Sequence, residues 1–239
     1  MDKTDPFTKY NPAPTATRPL LGLTVLVIED SRYACEAMRL LCLRSGARIR
    51  RADCMRSARK HLQVYRPSVV IVDLGLPDGS GADLISDLVN TSPRVGIVIG
   101  TSGDSFGEDV SIAAGADGFL AKPITSLAVF QQLILSKLPM DRQPSGLRVL
   151  SDEEIRPDPI AYQDDIAHIA DVLGDQPNDS TLDYVAQFLE GTARSAQDKG
   201  LENAAAALAR RRGAGQPSAS EAATLAGLIQ QRLVRKVAI

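Results

Sequence analysis

Ser-Val-Val-Ile-Val-Asp-Leu-Gly-Leu-Pro-Asp-Gly-Ser-Gly, residues 68–81, runs from an unbroken β-branched apolar stretch into one acid, Asp73, and then into a Gly- and Pro-rich turn. Continuous Val and Ile, rather than alternation with polar residues, marks a strand buried on both faces, as in a parallel sheet covered by helices. Similar apolar runs lie at 23–28 and 95–99, with weaker or shorter ones at 47–51 and 118–121. Between and after them, helical periodicity spans 31–44, 55–65 and 127–138. Strand–helix alternation repeated five times predicts an α/β fold, a doubly wound five-stranded parallel sheet. Such sheets bind ligands beyond the carboxyl ends of their strands, where the winding reverses.

Those carboxyl ends carry the chemistry. The first strand ends in Glu29-Asp30, the strand at 68–72 in Asp73, the next in Thr101-Ser102 and the last in Lys122-Pro123. Three carboxylates on one sheet edge repel one another and desolvate poorly. A hard cation relieves that repulsion, and an all-oxygen donor set with few protein ligands suits Mg²⁺. A nearby lysine and a hydroxyl suit an incoming phosphoryl group.

Type and spacing together resemble the receiver domain of two-component response regulators. Asp73-Leu-Gly-Leu-Pro-Asp-Gly-Ser-Gly81 is similar to that family's D-x-x-[LM]-P-x-x-x-G signature. The acidic pair lies 43 and 44 residues before Asp73, Thr101 follows it by 28, and Lys122 follows Thr101 by 21. The resemblance implies that Asp73 is the phosphoacceptor, and that Glu29, Asp30, Asp73 and the Gly75 carbonyl hold Mg²⁺. It implies that Lys122 pairs with Asp73, that Thr101 and Ser102 meet the phosphate, and that Phe119 is the aromatic coupled to the Thr101 movement. The Lys122–Pro123 bond is expected to be cis. A sensor histidine kinase or histidine phosphotransfer protein is the implied donor, and the domain is a signalling module rather than an enzyme. Two departures matter. Glu29 stands where Asp is commoner, and Gly75 and Ser102 are small, which leaves Asp73 open to water and suggests a short phosphoryl lifetime.

Outside residues 20–139 the texture changes. Residues 1–19 read as a disordered arm, 140–159 as a proline-bearing linker, and 160–239 as a small all-α module with helical segments at 160–173, 181–197, 201–212 and 220–237. Residues 140–239 hold 11 Lys+Arg against 15 Asp+Glu, which argues against nucleic acid as a partner. The basic spots Arg210–Arg212 and Arg232/Arg235/Lys236 sit near helix C-termini, where the helix dipole already favours cations. Alanine-rich faces such as ENAAAALA suit close helix packing, so the module reads as a dimerisation or partner-binding output under phosphorylation control. A transcriptional regulator with an atypical helical DNA-binding tail and a phosphate sink are the other readings. His168 is not followed by the lysine expected after a phosphotransfer histidine and is read as structural; residues 192–211 faintly resemble phosphotransfer core helices without the histidine, and carry no argument. Cys35, Cys42 and Cys54 lack metal-ligand spacing and read as small buried hydrophobes. No leader and no membrane-spanning run is legible, so the expected location is the cytoplasm.

Overall fold

The computed structural model describes residues 13–146, 151–174 and 177–235. Strands β1 (Thr24–Ile28), β2 (Arg48–Ala52), β3 (Val69–Asp73), β4 (Ile97–Ser102) and β5 (Gly118–Ala121) form one sheet in the order β2-β1-β3-β4-β5. Every pairing in it is parallel. The winding reverses between β1 and β3, which places the ends of those two strands, Glu29-Asp30 and Asp73, at the switch point. Register fixes the remaining site residues: Asp73 lies opposite Thr101, and Thr101 opposite Leu120.

Both faces of the sheet are buried, which is why its central strands are apolar up to the polar residues at their carboxyl ends. Val25, Val27, Ile71 and Ile99 face α1 (Arg32–Ser45) and α5 (Leu127–Lys137), packing with Leu41, Phe130 and Ile134. Leu26, Ile28, Val70, Val72 and Val98 face α2 (Met55–Val64) and α3 (Gly81–Asn90), with Ala58, Leu84 and Ile85. Strand β2 is one of the two edges, and its exposed Arg48, Arg50 and Arg51 guard unpaired backbone against another strand. The helices α3 and α4 (Gly107–Ala113) were not legible from periodicity; each begins at a glycine beside the functional loops.

The C-terminal region is helical: α6 (Pro159–Leu173), α7 (Asp179–Ser195), α8 (Lys199–Gly213) and α9 (Ala219–Arg235) enclose a separate core around Ile166, Ile169, Val185, Leu189, Leu208 and Leu225. Asn178 caps α7 and Asp158 caps α6, each side chain accepting from a first-turn amide. The expected linker is anchored where described. Its Ile155 is buried in the α1/α5 face of the sheet core, Ile155 N–H donates to Thr125 O at 2.8 Å, and Arg44 pairs with Glu153 at 3.0 Å. Of the expected N-terminal arm, residues 1–12 lie outside the described residues; 13–19 form turns that lead into Leu20, which is fully buried. None of the described helices is long and apolar enough to cross a membrane.

Asp198 locks the helical core. It accepts from Arg232 at 2.6 Å, from the Tyr162 hydroxyl at 2.9 Å and from Leu201 N–H at 3.1 Å. The Arg232 guanidinium, with those other donors, lowers the Asp198 carboxyl to about 2. A depressed carboxylate stabilises the fold above its unfolded pKa and loses that contribution as pH falls towards 2. Asp198→Asn is therefore expected to cost about 2 kcal/mol at neutral pH, read by urea denaturation, and to remove the acid-induced loss between roughly pH 4 and 2. Equal stability of the two proteins at neutral pH would refute this role.

Candidate functional site

The loop after β3 is built around three glycines, Gly75, Gly79 and Gly81. Asp73 ends β3, Leu74 N–H donates to Thr101 O at 3.1 Å, and Gly81 N–H returns to Leu74 O at 3.1 Å. Gly75–Leu76 and Gly79–Ser80 close a small antiparallel ladder between them. A Cβ on Gly81 would fall on the carbonyl oxygen of Asp73, so only glycine lets α3 start this close to the strand end. Asp78, at the tip, accepts from the amides of Met55 and Arg56 at 2.8 and 3.0 Å and ties the loop to the start of α2.

Carboxylate oxygens of Glu29, Asp30 and Asp73 lie within 4.8 Å of one another. Lys122 answers them from the end of β5: its Nζ is 2.7 Å from Glu29 Oε2 and 3.2 Å from Asp73 Oδ1. One ammonium facing three carboxylates leaves the cluster short of positive charge. Burial, then the neighbouring Asp73, pushes Glu29 well above the usual carboxylate range. The same two causes push Asp30 up to about 7, against the pull of a hydrogen bond from Tyr184. For Lys122 burial works against the charge, but Asp73 and Glu29 outweigh it and hold the ammonium above its ordinary pKa. This donor set, three hard carboxylate groups in a cavity that Gly75 also lines, fits a divalent cation that prefers oxygen.

Of the residues expected from sequence, Glu29, Asp30, Asp73, Gly75, Ser102 and Lys122 line one cavity of about 70 Å³. Thr101 and Phe119 do not line it. The Thr101 side chain is fully buried and its hydroxyl donates to Leu120 O at 2.7 Å, along the sheet. The Phe119 ring packs against Gly107 at the start of α4. The Ser102 hydroxyl accepts from Asp104 N–H at 3.0 Å, and the Lys122–Pro123 bond is cis, as is Ser92–Pro93. Cys35 and Cys42 are buried free thiols, the latter pushed up to about 12 by burial.

The other wall of the cavity comes from α7. Tyr184 donates its hydroxyl to Asp30 Oδ2 at 2.7 Å, and the Gln187 amide stands over Gly75, 2.6 Å from where a Cβ would be. Arg194 donates to the carbonyl of Gly103. From α6, the buried carboxylate of Asp165 accepts from Ser31 Oγ at 2.7 Å, Arg32 N–H at 2.8 Å and Tyr33 N–H at 3.0 Å, at the start of α1. The open approach expected beside Gly75 is thus filled by the chain's own helix, and Asp73 is 7% exposed. Sequence reasoning missed Tyr184, Gln187 and Asp165. One signal was available for Asp165, which sits within the apolar stripe Tyr162–Ile166–Ile169, where an acid needs a partner.

Residues 25–134 match the family model described as the response regulator receiver domain. Curated relatives include the KDP operon transcriptional regulatory protein KdpE of Escherichia coli K12, 31% identical over 99 residues, covering 41% of this chain and 44% of that protein. The virulence transcriptional regulatory protein PhoP of Shigella flexneri is 30% identical over 102 residues, 42% of this chain and 46% of that protein. The chain thus spans less than half the length of these relatives. Among solved structures, the signal receiver domain of a signal transduction histidine kinase from Syntrophus aciditrophicus aligns with a TM-score of 0.45 at 23% identity, over 54% of this chain and 99% of that one. Residues 25–134, a little under half of the chain, are thus similar to the response regulator receiver domain, a family of signalling domains.

Two outcomes follow from this geometry. Gly81→Ala forces the β3 loop off the strand end and should cost roughly 1–3 kcal/mol, read by thermal or urea unfolding; unchanged stability would mean the contact at Asp73 O is not limiting. In protein stripped of metal, Asp30 still holds its proton where an unfolded carboxylate has lost it. Stability should therefore decline as pH rises from about 4 through about 7, and Asp30→Asn should flatten that decline. A slope unchanged in Asp30→Asn would place the titration elsewhere.

Proposed function

We propose that this chain, whose residues 25–134 match the response regulator receiver domain, accepts a phosphoryl group on Asp73 from a histidine kinase or a histidine phosphotransfer protein. The observation that carries the reading is the buried cluster at the switch point: three carboxylates, with Lys122 bridging Glu29 and Asp73. In the transfer, an Asp73 carboxylate oxygen attacks phosphorus, the P–N bond to the donor imidazole breaks, and its electron pair returns to the ring. Mg²⁺, held by Glu29, Asp30, Asp73 and the Gly75 carbonyl, would neutralise charge on the transferring oxygens. Lys122 then exchanges its contact with Asp73 for one with the phosphoryl oxygens. Ser102, whose hydroxyl lies on the cavity wall, stands ready as a donor, and Thr101 must break its bond to Leu120 O before it can join.

The output reading is control of protein contacts through α6–α9, in a cytoplasmic protein. Support comes from three of the tail's basic residues, which pair inside the tail itself. Arg211 pairs with Glu221 at 3.1 Å, Arg212 with Asp179 at 2.9 Å and also with Asp183, and Arg232 with Asp198. Cations so paired are poorly placed to neutralise nucleic-acid phosphates. The relatives KdpE and PhoP are named transcriptional regulators, which keeps nucleic acid in view as a partner and makes transcriptional control the second reading. Their likeness covers about 100 residues and lies in the receiver part, so it does not speak to α6–α9.

Incubation of the full chain with Mg²⁺ and acetyl phosphate should label the protein, and Asp73→Asn should lower labelling at least about a hundredfold. Equal labelling of the variant would show that Asp73 is not the acceptor. Salt-sensitive binding of duplex DNA by the labelled protein would move the output to the second reading.

A further inference from the structure

The receiver's site and the helical tail share one wall. Tyr184 holds the Asp30 oxygen that a cation would need, Gln187 fills the space above Gly75, and Arg194 reaches the loop after β4 at Gly103. A second clasp lies to one side, where Asp165 takes two backbone amides and the Ser31 hydroxyl at the start of α1, next to Glu29-Asp30. Around it, Tyr33 meets Tyr162 edge-on with centroids 5.9 Å apart, and Arg32 pairs with Asp164 at 3.2 Å. Asp165 is 1% exposed and has three donors, so the clasp is a built contact rather than a grazing one.

From these contacts we propose that α6 and α7 form a gate over the phosphorylation site: Tyr184 competes with the cation for Asp30, Gln187 closes the mouth at Gly75, and the Asp165 clasp holds both in place. The proposal rests on the reading of Asp73 as phosphoacceptor and specifies how the site is regulated. Cation and donor enter only molecules in which α6 and α7 have lifted, so apparent affinity is the intrinsic affinity reduced by that fraction. Reciprocity then requires that filling the site weaken the clasp, which would free the tail's docked face for another partner when the receiver is charged. The same contacts give the short loop residue Gly75 a second use, since any side chain there would meet the Gln187 amide.

The test uses the full chain in three forms: unaltered, Tyr184→Phe and Asp165→Ala. Mg²⁺ alone is titrated by calorimetry, amide hydrogen exchange is followed at Arg32 and Tyr33, and acetyl phosphate labelling is measured in parallel. Tyr184→Phe keeps the ring and its packing while releasing Asp30, so it remains informative if Asp165→Ala folds poorly. The gate predicts Mg²⁺ binding tighter by about tenfold in Asp165→Ala, with a smaller gain in Tyr184→Phe. It also predicts faster exchange at Arg32 and Tyr33 of the unaltered chain once Mg²⁺ and acetyl phosphate are added. Equal Mg²⁺ affinity in all three forms overturns the gate, whatever the labelling shows. Tighter Mg²⁺ binding without labelling of any form upholds the gate and removes the phosphoryl reading. Absence of Mg²⁺ binding in every form removes both.

Discussion

Everything at the centre of this molecule depends on an unbalanced buried charge: three carboxylates meeting a single ammonium where the sheet's winding reverses. Like charges gathered away from water are costly, and a protein keeps them only where something offsets the repulsion. Lys122 offsets part of it, bridging Glu29 and Asp73. Tyr184 supplies a further donor, and proton uptake by Asp30 near neutrality is the remaining route. A divalent cation would supply the missing charge more fully than either.

The architecture makes that concentration of charge possible. A parallel sheet delivers the ends of β1, β3 and β5 to one edge, and the helices on both faces keep that edge apolar below the acids. Gly81 lets α3 start against the Asp73 carbonyl, and Asp78 ties the intervening loop to α2. The tail's docking follows the same electrostatic logic. Asp165 is tolerated in the interior because the start of α1 offers two amides and a hydroxyl, and a helix N-terminus favours an acid.

How far the sequence foretold this can be judged residue by residue. The strands around Leu26, Ile71 and Ile99 were legible because burial on both faces leaves no polar position to confuse the pattern. The acids and Lys122 were legible as polar residues closing those strands, and the cis bond before Pro123 came with the family resemblance. Helices α3 and α4 escaped notice because each begins at a glycine in a loop whose composition reads as turn, and α4 is also short. The tail's helices were found, but their place on the receiver was not. Contacts such as Tyr184 with Asp30, 154 residues apart, leave no local periodicity. Small residues at 75 and 102 suggested an open site, yet the vacant space at Gly75 is where Gln187 stands.

The central claim is one covalent event, formation of an acyl phosphate (a mixed anhydride) on Asp73, and chemical trapping reads it most directly. The full chain is charged with acetyl phosphate and Mg²⁺, reduced with borohydride and mapped by peptide mass spectrometry. An acyl phosphate on Asp73 is converted to homoserine at that position; homoserine is predicted there, with none at Asp30 or Asp78 and no reduced five-carbon alcohol at Glu29. Homoserine at another residue, or a stable phosphate left on a serine, threonine or histidine, would contradict it.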